Sequence, residues 1–267
     1  MAALKDLSPA ELAAAADANL VAHISRVHER TPGMRVIAAP DLVLADSGLP
    51  CDTFNVVCRA RLAESAAPER IRAAAGHFAG RPFSWWVGPA DRPDGLGALL
   101  QRAGLLPADT EQAMAADLAA LGSGDPSPGG LDIRRERTAA QLHDFAAIVA
   151  AGWTPPDADV LRFYERAAPA LLAGDSPLWL YVGYLEDTPV ATAQLTLGGG
   201  VVGLYNVITV EGYRRRGFGT AMTLRPLLDG RARGERIAIL QASPAGAGVY
   251  ARVGFTTFGR ITEYKPG

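Results

Sequence analysis

The chain is expected to adopt an α+β fold, a mixed and mostly antiparallel sheet flanked by helices, arranged as two tandem domains. Three observations carry this expectation. Its 267 residues exceed what one hydrophobic core usually organises, at roughly 100 to 200 residues per domain. The stretch Gly122-Ser123-Gly124-Asp125-Pro126-Ser127-Pro128-Gly129-Gly130 has only glycine, proline and polar residues, which oppose regular structure and mark a linker over 122–130 between domains 1–121 and 131–267. After it, the apolar periods follow the order helix, helix, three strands, helix, strand, helix, strand, an α+β succession around a mixed sheet.

The elements after the linker are read from local pattern. Helical periods run through Ala139 to Ala151 and from the N-cap Asp157 to Leu172. Leu178 to Leu185, Val190 to Leu197 and Val201 to Val210 are strands rich in aromatic and β-branched residues, joined at Asp187-Thr188-Pro189 and Gly198-Gly199-Gly200 into an antiparallel meander. A helix follows from about Gly217 to Ala232, with a kink expected at Pro226. A short strand Arg236 to Gln241, a short helix Ala247 to Val253 and an extended segment Phe255 to Tyr264 complete the chain.

The first half reads as a helix over Glu11 to Glu29, strands at Val36 to Leu44 and Thr53 to Ala60, and a helix Pro68 to Phe78. A strand Phe83 to Val87 and helices Gly95 to Ala103 and Ala108 to Leu121 follow. Its late rhythm of strand and helix matches the part after Val201 and suggests a weak duplication.

Composition narrows the function classes. With 49% hydrophobic and 20% charged residues the chain falls among ordinary globular proteins, and a net charge of -2 gives no overall attraction for nucleic acid. Arg231, Arg233 and Arg236 suit a helix C-terminus without any ligand. Cys51 and Cys58 lack metal-ligand spacing, and His23, His28, His77 and His143 are scattered, so neither a metal site nor a disulfide framework is expected. Charges at Lys5, Asp6, Glu11 and Asp17 interrupt the alanine-rich start, so no signal peptide or membrane span is expected; the expected location is the cytoplasm.

The sharpest signal is the strand Leu204 to Val210 followed by Glu211-Gly212-Tyr213-Arg214-Arg215-Arg216-Gly217-Phe218-Gly219-Thr220 and a helix. Glycine costs about 1 kcal/mol against alanine inside a helix, so two of them at its start call for a reason. Close approach of an anion to bare main-chain amides from Arg215 and Arg216 through Gly217, Phe218, Gly219 and Thr220 supplies one, reinforced by the helix dipole. No lysine followed by serine or threonine makes a P-loop here, and Met222 stands where a dinucleotide fingerprint places its last glycine.

Arg214, Gly217 and Gly219 in this strand-to-helix setting resemble the signature of the GNAT superfamily of acyl-coenzyme A N-acyltransferases. Leu240-Gln241-Ala242-Ser243-Pro244 with Gly248 through Gly254-Phe255, including Tyr250, resembles the family's next strand and tyrosine-bearing helix. The resemblance covers about Leu131 to the end, and the first half is read as a degenerate GNAT-like domain. It implies acetyl-CoA as co-substrate, no metal, and a small amine or peptide amine as acceptor, with no nucleic acid or membrane partner, in a monomer or homodimer.

The resemblance also implies that main-chain groups of Ile208 and Val210 pair with pantetheine, with the Val210 amide or a near neighbour polarising the thioester carbonyl, and that Tyr250 protonates the leaving sulfur. Asn206 stands where many members carry a glutamate, so it either orders a water or makes an ordinary strand hydrogen bond. Gln241 either contacts the cofactor or ends a strand. Tyr205, Glu263 and Trp153, the last within Gly152-Trp153-Thr154-Pro155-Pro156, either border the acceptor or simply pack. Glu211 is read as solvated. A catalytically silent acyl-CoA sensor is the alternative to an enzyme.

Overall fold

A computed structural model describes residues 8–121 and 128–267. Residues 122–127 of the expected linker, and Lys5 and Asp6, lie outside the described residues. The elements in chain order are α1 (Pro9–Ser25), β1 (Arg35–Ala38), β2 (Val43–Asp46), β3 (Val56–Cys58), α2 (Ala67–His77), β4 (Ser84–Val87), α3 (Leu96–Arg102) and β5 (Leu105–Asp117) in the first half. The second half holds β6 (Asp132–Arg135), α4 (Ala139–Ala150), α5 (Ala158–Leu171), β7 (Leu178–Leu185), β8 (Thr188–Gly198), β9 (Val201–Thr209), α6 (Phe218–Ala232), β10 (Ile237–Ala242), α7 (Ala247–Val253) and β11 (Thr256–Pro266).

Both halves share one eleven-stranded sheet in the order β1-β2-β3-β4-β11-β5-β10-β9-β8-β7-β6. Each half contains a parallel pair, β3 with β4 and β9 with β10. Between these pairs the last strands are exchanged: β11 of the second half lies beside β4, and β5 of the first half lies beside β10. The exchanged strands pair with each other antiparallel from Thr256–Ala115 to Pro266–Leu105. β5 is paired on both sides over Gln112 to Ala115 and β11 over Thr262 to Tyr264, and these two-sided stretches tie the halves through main-chain ladders.

Local chemistry accounts for the helices. Ser8 caps α1 through a reciprocal box with Glu11, and Thr138 and Asp157 cap α4 and α5 by accepting the amides of Gln141 and Asp159. Glu186 and Asp187, both at positive φ, turn β7 into β8, and Gly199 and Gly200 turn β8 into β9. The glycines there also admit α1: a side chain on Gly199 would sit 2.6 Å from the carbonyl oxygen of Ala15, and one on Gly203 would collide with Asn19. Helix α1 thus belongs to the first half in sequence and lies on β8 and β9 of the second half in space. Helices α4 and α5 likewise share a core with Val27, Met34, Leu49 and Cys51, and the Phe163 ring stacks on Phe54 at 3.5 Å.

Several expectations need correction. Ala108 to Leu121 is not a helix, because β5 pairs with β11 and β10 on both sides and tertiary pairing overrides alanine's helical preference. Val36 to Leu44 is a hairpin, β1 and β2, broken around Pro40-Asp41. Helix α6 runs unbroken through Pro226, which is buried, so the proline forfeits a hydrogen bond without ending the helix. The edge strand β6 has no counterpart in the sequence reading.

Candidate active site

Strand β9 parts from β10 beyond Leu204. The pair is hydrogen-bonded only through Val202–Ala238, Gly203–Ile239 and Leu204–Leu240, although β9 continues to Thr209 and β10 to Ala242. On the other side, a register shift between Thr192–Ile208 and Gln194–Tyr205 places Asn206 at φ 50°, a bulge that turns β9 outward. The wedge opens into a cavity of about 460 Å³. Tyr205, Asn206, Ile208, Gln241, Tyr250, Trp153 and Glu263 all line it, so seven of the residues singled out in the sequence are brought together. Trp153 keeps 39% of its surface exposed, which marks a wall of the cavity more than a core anchor.

Arg215, Arg216, Gly217, Phe218, Gly219 and Thr220 form the turn beyond the end of β9 and do not line the cavity. Gly217 caps α6 at φ 84°, and Arg215 stands at φ 61°, so consecutive amides are turned toward one side. Ala221 is the first residue of α6 whose amide reaches a carbonyl four positions back, that of Gly217 at 3.1 Å. Among the described residues the amides of Arg216 to Thr220 have no main-chain acceptor. A side chain built on Gly219 would meet nothing nearer than the Thr209 hydroxyl at 3.8 Å, so the space before the helix is open. The Phe218 ring is buried in the core with the Arg216 guanidinium 4.9 Å above it, which fixes the turn from below. Arg214 braces it from the other side by donating through Nε to the Thr209 carbonyl at 3.1 Å.

Val210 does not have the free amide expected of it. Its N–H donates to the Val190 carbonyl and its own carbonyl accepts from Tyr213, both at 2.9 Å, because the chain rejoins β8 after the bulge before entering the turn. The unpaired main-chain groups of this strand lie on its inner edge ahead of Val210.

Asn206 makes strand and network bonds: its amide donates to Gln194 Oε1 at 3.0 Å and its carbonyl accepts from the Thr192 hydroxyl at 2.9 Å. The Gln194 amide in turn lies 3.1 Å from His23 Nδ1, and the His23 ring stacks on Tyr205 at 3.7 Å. Burial pulls His23 down to about 3, so the imidazole is neutral at physiological pH, with Nδ1 accepting and the proton on Nε2. The Tyr205 hydroxyl is also committed, donating to Asn19 at 2.9 Å. Tyr250 differs. Its phenol has no hydrogen-bond partner among the described residues, and burial together with the negative charge of Glu111 pushes it up to about 12, so it stands protonated in the cavity wall.

The opposite wall comes from β4, β5 and β11. Trp86 of β4, Asp109 and Glu111 of β5, and Glu263 and Lys265 of β11 line the cavity with His23 and Asp52. Only Glu263 was foreseen as bordering it. Asp109 and Glu111 fall in the segment read as a helix, where their spacing of two puts them on different faces; on a strand the same spacing puts them on one.

Residues 126–239 match the family model for the acetyltransferase (GNAT) domain. No curated protein sequence matches the chain significantly. Among solved structures the fold is similar to a GCN5-related N-acetyltransferase from Kribbella flavida, with a TM-score of 0.71 at 19% identity over 96% of both chains. It is also similar to a GCN5-related N-acetyltransferase from Sphaerobacter thermophilus, with a TM-score of 0.60 at 15% identity over 97% of this chain and 93% of the other. A tandem GNAT protein from the clavulanic acid biosynthesis pathway aligns with a TM-score of 0.56 at 15% identity over 88% of this chain and 83% of its own. These similarities show a shared architecture across both halves, and the match to the acetyltransferase (GNAT) domain model falls on residues 126–239, which carry β6 to β9, α6 and most of the wedge.

Proposed function

We propose that the protein transfers an acetyl group from acetyl-CoA to a primary amine by direct attack of the amine on the thioester. The observation that carries this reading is the wedge between β9 and β10, with unobstructed amides beyond its strand end and a protonated Tyr250 in its wall. Each hydrogen bond from an amide to a charged phosphate contributes roughly 1.5 to 3 kcal/mol, so three or four amides of the Arg216 to Thr220 turn suffice to hold the diphosphate. The inner edge of β9, unpaired after Leu204, offers main-chain groups to the pantetheine arm, as a strand would. Gln241, at the opposite lip, completes the channel. Tyr250 supplies its phenol proton to the sulfur as the carbon–sulfur bond breaks, which removes the need to expel a bare thiolate.

A second reading, an acyl-CoA sensor without turnover, is favoured by one observation: Asn206 carries no proton-accepting group and spends its amide on Gln194. The two separate in one experiment. Acetyl-CoA binding is measured by calorimetry, and free thiol is then followed with a broad panel of primary amines. Thiol release with at least one amine above the hydrolysis rate is the expected result; tight binding with no release across the panel selects the sensor.

A further inference from the structure

The acceptor side of the cavity is charged in one sense. Asp109 and Glu111 occupy alternate positions on β5 and share a face; Glu263 is the cross-strand partner of Asp109 on β11, and Trp86 that of Glu263 on β4. Lys265 is the one cationic side chain among the described residues lining the cavity, and its ammonium is already shared between Asp52 at 3.1 Å and Glu263 at 3.3 Å. Asp109 and Glu111 have neither an ion pair nor a hydrogen bond among the described residues. These carboxylates form the wall of a cavity that also holds Tyr250 and the open edge of β9, so whatever amine reaches the thioester passes over them. Among the described residues no three acidic, histidine or cysteine side chains converge as ligands on a single point, so the charge is spread along a floor and suits an extended organic cation. Trp86 and Trp153 give that cation apolar and π-rich sides.

Building on the acetyl-transfer reading above, we propose that the acceptor is a small aliphatic amine with at least two ammonium groups, and that Glu111 is the catalytic residue that takes the proton from the reacting one. Asp109, with Glu263 behind it, anchors the second ammonium as a specificity determinant. The protons balance. Glu111 removes one proton from the reacting ammonium and later yields it to solvent; the free amine nitrogen attacks the carbonyl carbon, forming the carbon–nitrogen bond. As the carbon–sulfur bond breaks, Tyr250 gives its proton to sulfur and regains one from the nitrogen of the collapsing intermediate. The sum is amide, free thiol and one released proton. Burial first, then the charges of Asp109 and Glu263, hold Glu111 above the usual carboxylate range, which makes it a better base than a solvated glutamate. The other groups facing the cavity are Asp52, Lys265 and Tyr250, with His23 neutral on α1.

The test uses the full chain and acetyl-CoA with an aliphatic diamine, a triamine, a monoamine of matched length and an amine bearing a carboxylate. The expected kcat/KM for the diamine and triamine exceeds that of the monoamine by about 10- to 100-fold, the worth of one charge-assisted contact. Glu111→Gln should lower kcat by about 100-fold or more and remove the acidic limb of the pH–rate profile, with the calorimetric dissociation constant for acetyl-CoA unchanged. Asp109→Asn should raise KM for the diamine by more than for the monoamine, which collapses the preference between them. Equal efficiency with monoamine and diamine overturns the acceptor assignment, and a Glu111→Gln enzyme with wild-type turnover and an intact acidic limb overturns the base. Release only with monoamines or carboxylate-bearing amines sinks this inference and leaves acetyl transfer standing. Binding without release from any amine sinks both.

Discussion

Asn19 joins the two halves at a point where the consequences of losing it can be worked out. The side chain is completely buried on α1, and its amide donates to the carbonyls of Thr196 and Gly198 at 3.0 Å and of Val201 at 3.2 Å, while its Oδ1 accepts from Tyr205 at 2.9 Å. Two amide hydrogens and one oxygen therefore satisfy the turn between β8 and β9 and a buried phenol. Asn19→Ala leaves three carbonyls and a phenol unpaired at about 1 to 3 kcal/mol each, so the expected loss is about 4 kcal/mol or more, a large share of the usual 5 to 15 kcal/mol of a domain. Asn19→Asp should cost more, because it keeps the acceptor and faces a carboxylate to three carbonyl oxygens. Since α1 also carries Leu20, His23 and Ile24 into the cavity wall, the surviving folded Asn19→Ala enzyme should show a raised acceptor KM with acetyl-CoA affinity intact. Urea denaturation with the slope held common gives the stability term, and steady-state kinetics the other. An Asn19→Ala protein within about 0.5 kcal/mol of wild type would refute the argument that this contact fastens the halves.

Three further outcomes are expected. Tyr250→Phe should lower turnover by about 100-fold or more at unchanged acetyl-CoA affinity, seen by pairing single-turnover thiol release with calorimetry; an equal loss in both would assign the phenol to binding alone. Gly219→Asp should abolish acetyl-CoA binding while the unfolding midpoint stays near wild type, since the added side chain has room in the protein and places a negative charge where the diphosphate goes. Glu136 is buried, and burial followed by the charge of Asp144 raises its carboxyl from 4.5 to about 8. A raised carboxyl stabilises the fold below pH 4.5 and loses that contribution as pH climbs through 8, so Glu136→Gln should match wild type near pH 4.5 and exceed it above pH 8 by roughly 2 to 4 kcal/mol once solvent screening is allowed for; a difference independent of pH in urea titrations would contradict this.

What the sequence disclosed was set by how local each signal is. The meander β7 to β9 and the turn before α6 are specified by neighbours in the chain: alternating apolar residues, Glu186 and Asp187 in left-handed conformation, and Gly217 where only glycine sits without strain. Tyr250, Asn206 and Gln241 could therefore be placed near one another by resemblance to a motif order. Strand β5 is the opposite case. Ala108 to Leu121 is rich in alanine and reads as a helix, and most of it lies instead in β5 through pairing with β10 and β11, whose residues lie more than a hundred positions away. With the strand misread, Asp109 and Glu111 could not be seen to share a face, and half of the cavity stayed invisible. Val210 failed for a smaller reason of the same kind, since its bond to Val190 depends on how far the bulge at Asn206 displaces the chain.

The exchange of β5 and β11 gives this arrangement its chemical point. A sheet held together only by packing between halves would let the N-terminal half shift against the thioester site, and a base delivered from that half would then be poorly placed. Here the same strand that carries Asp109 and Glu111 hydrogen-bonds directly to β10 at Gln241–Ala113, one residue pair along the face from Glu111. Glu111 is fixed to the lip of the wedge through main-chain bonds of the ladder, with no flexible segment between them. On the proposed acetyl-transfer reading, β9 offers Asn206 and no carboxylate of its own, and the β5–β10 ladder would bring one from the other half at strand-level precision.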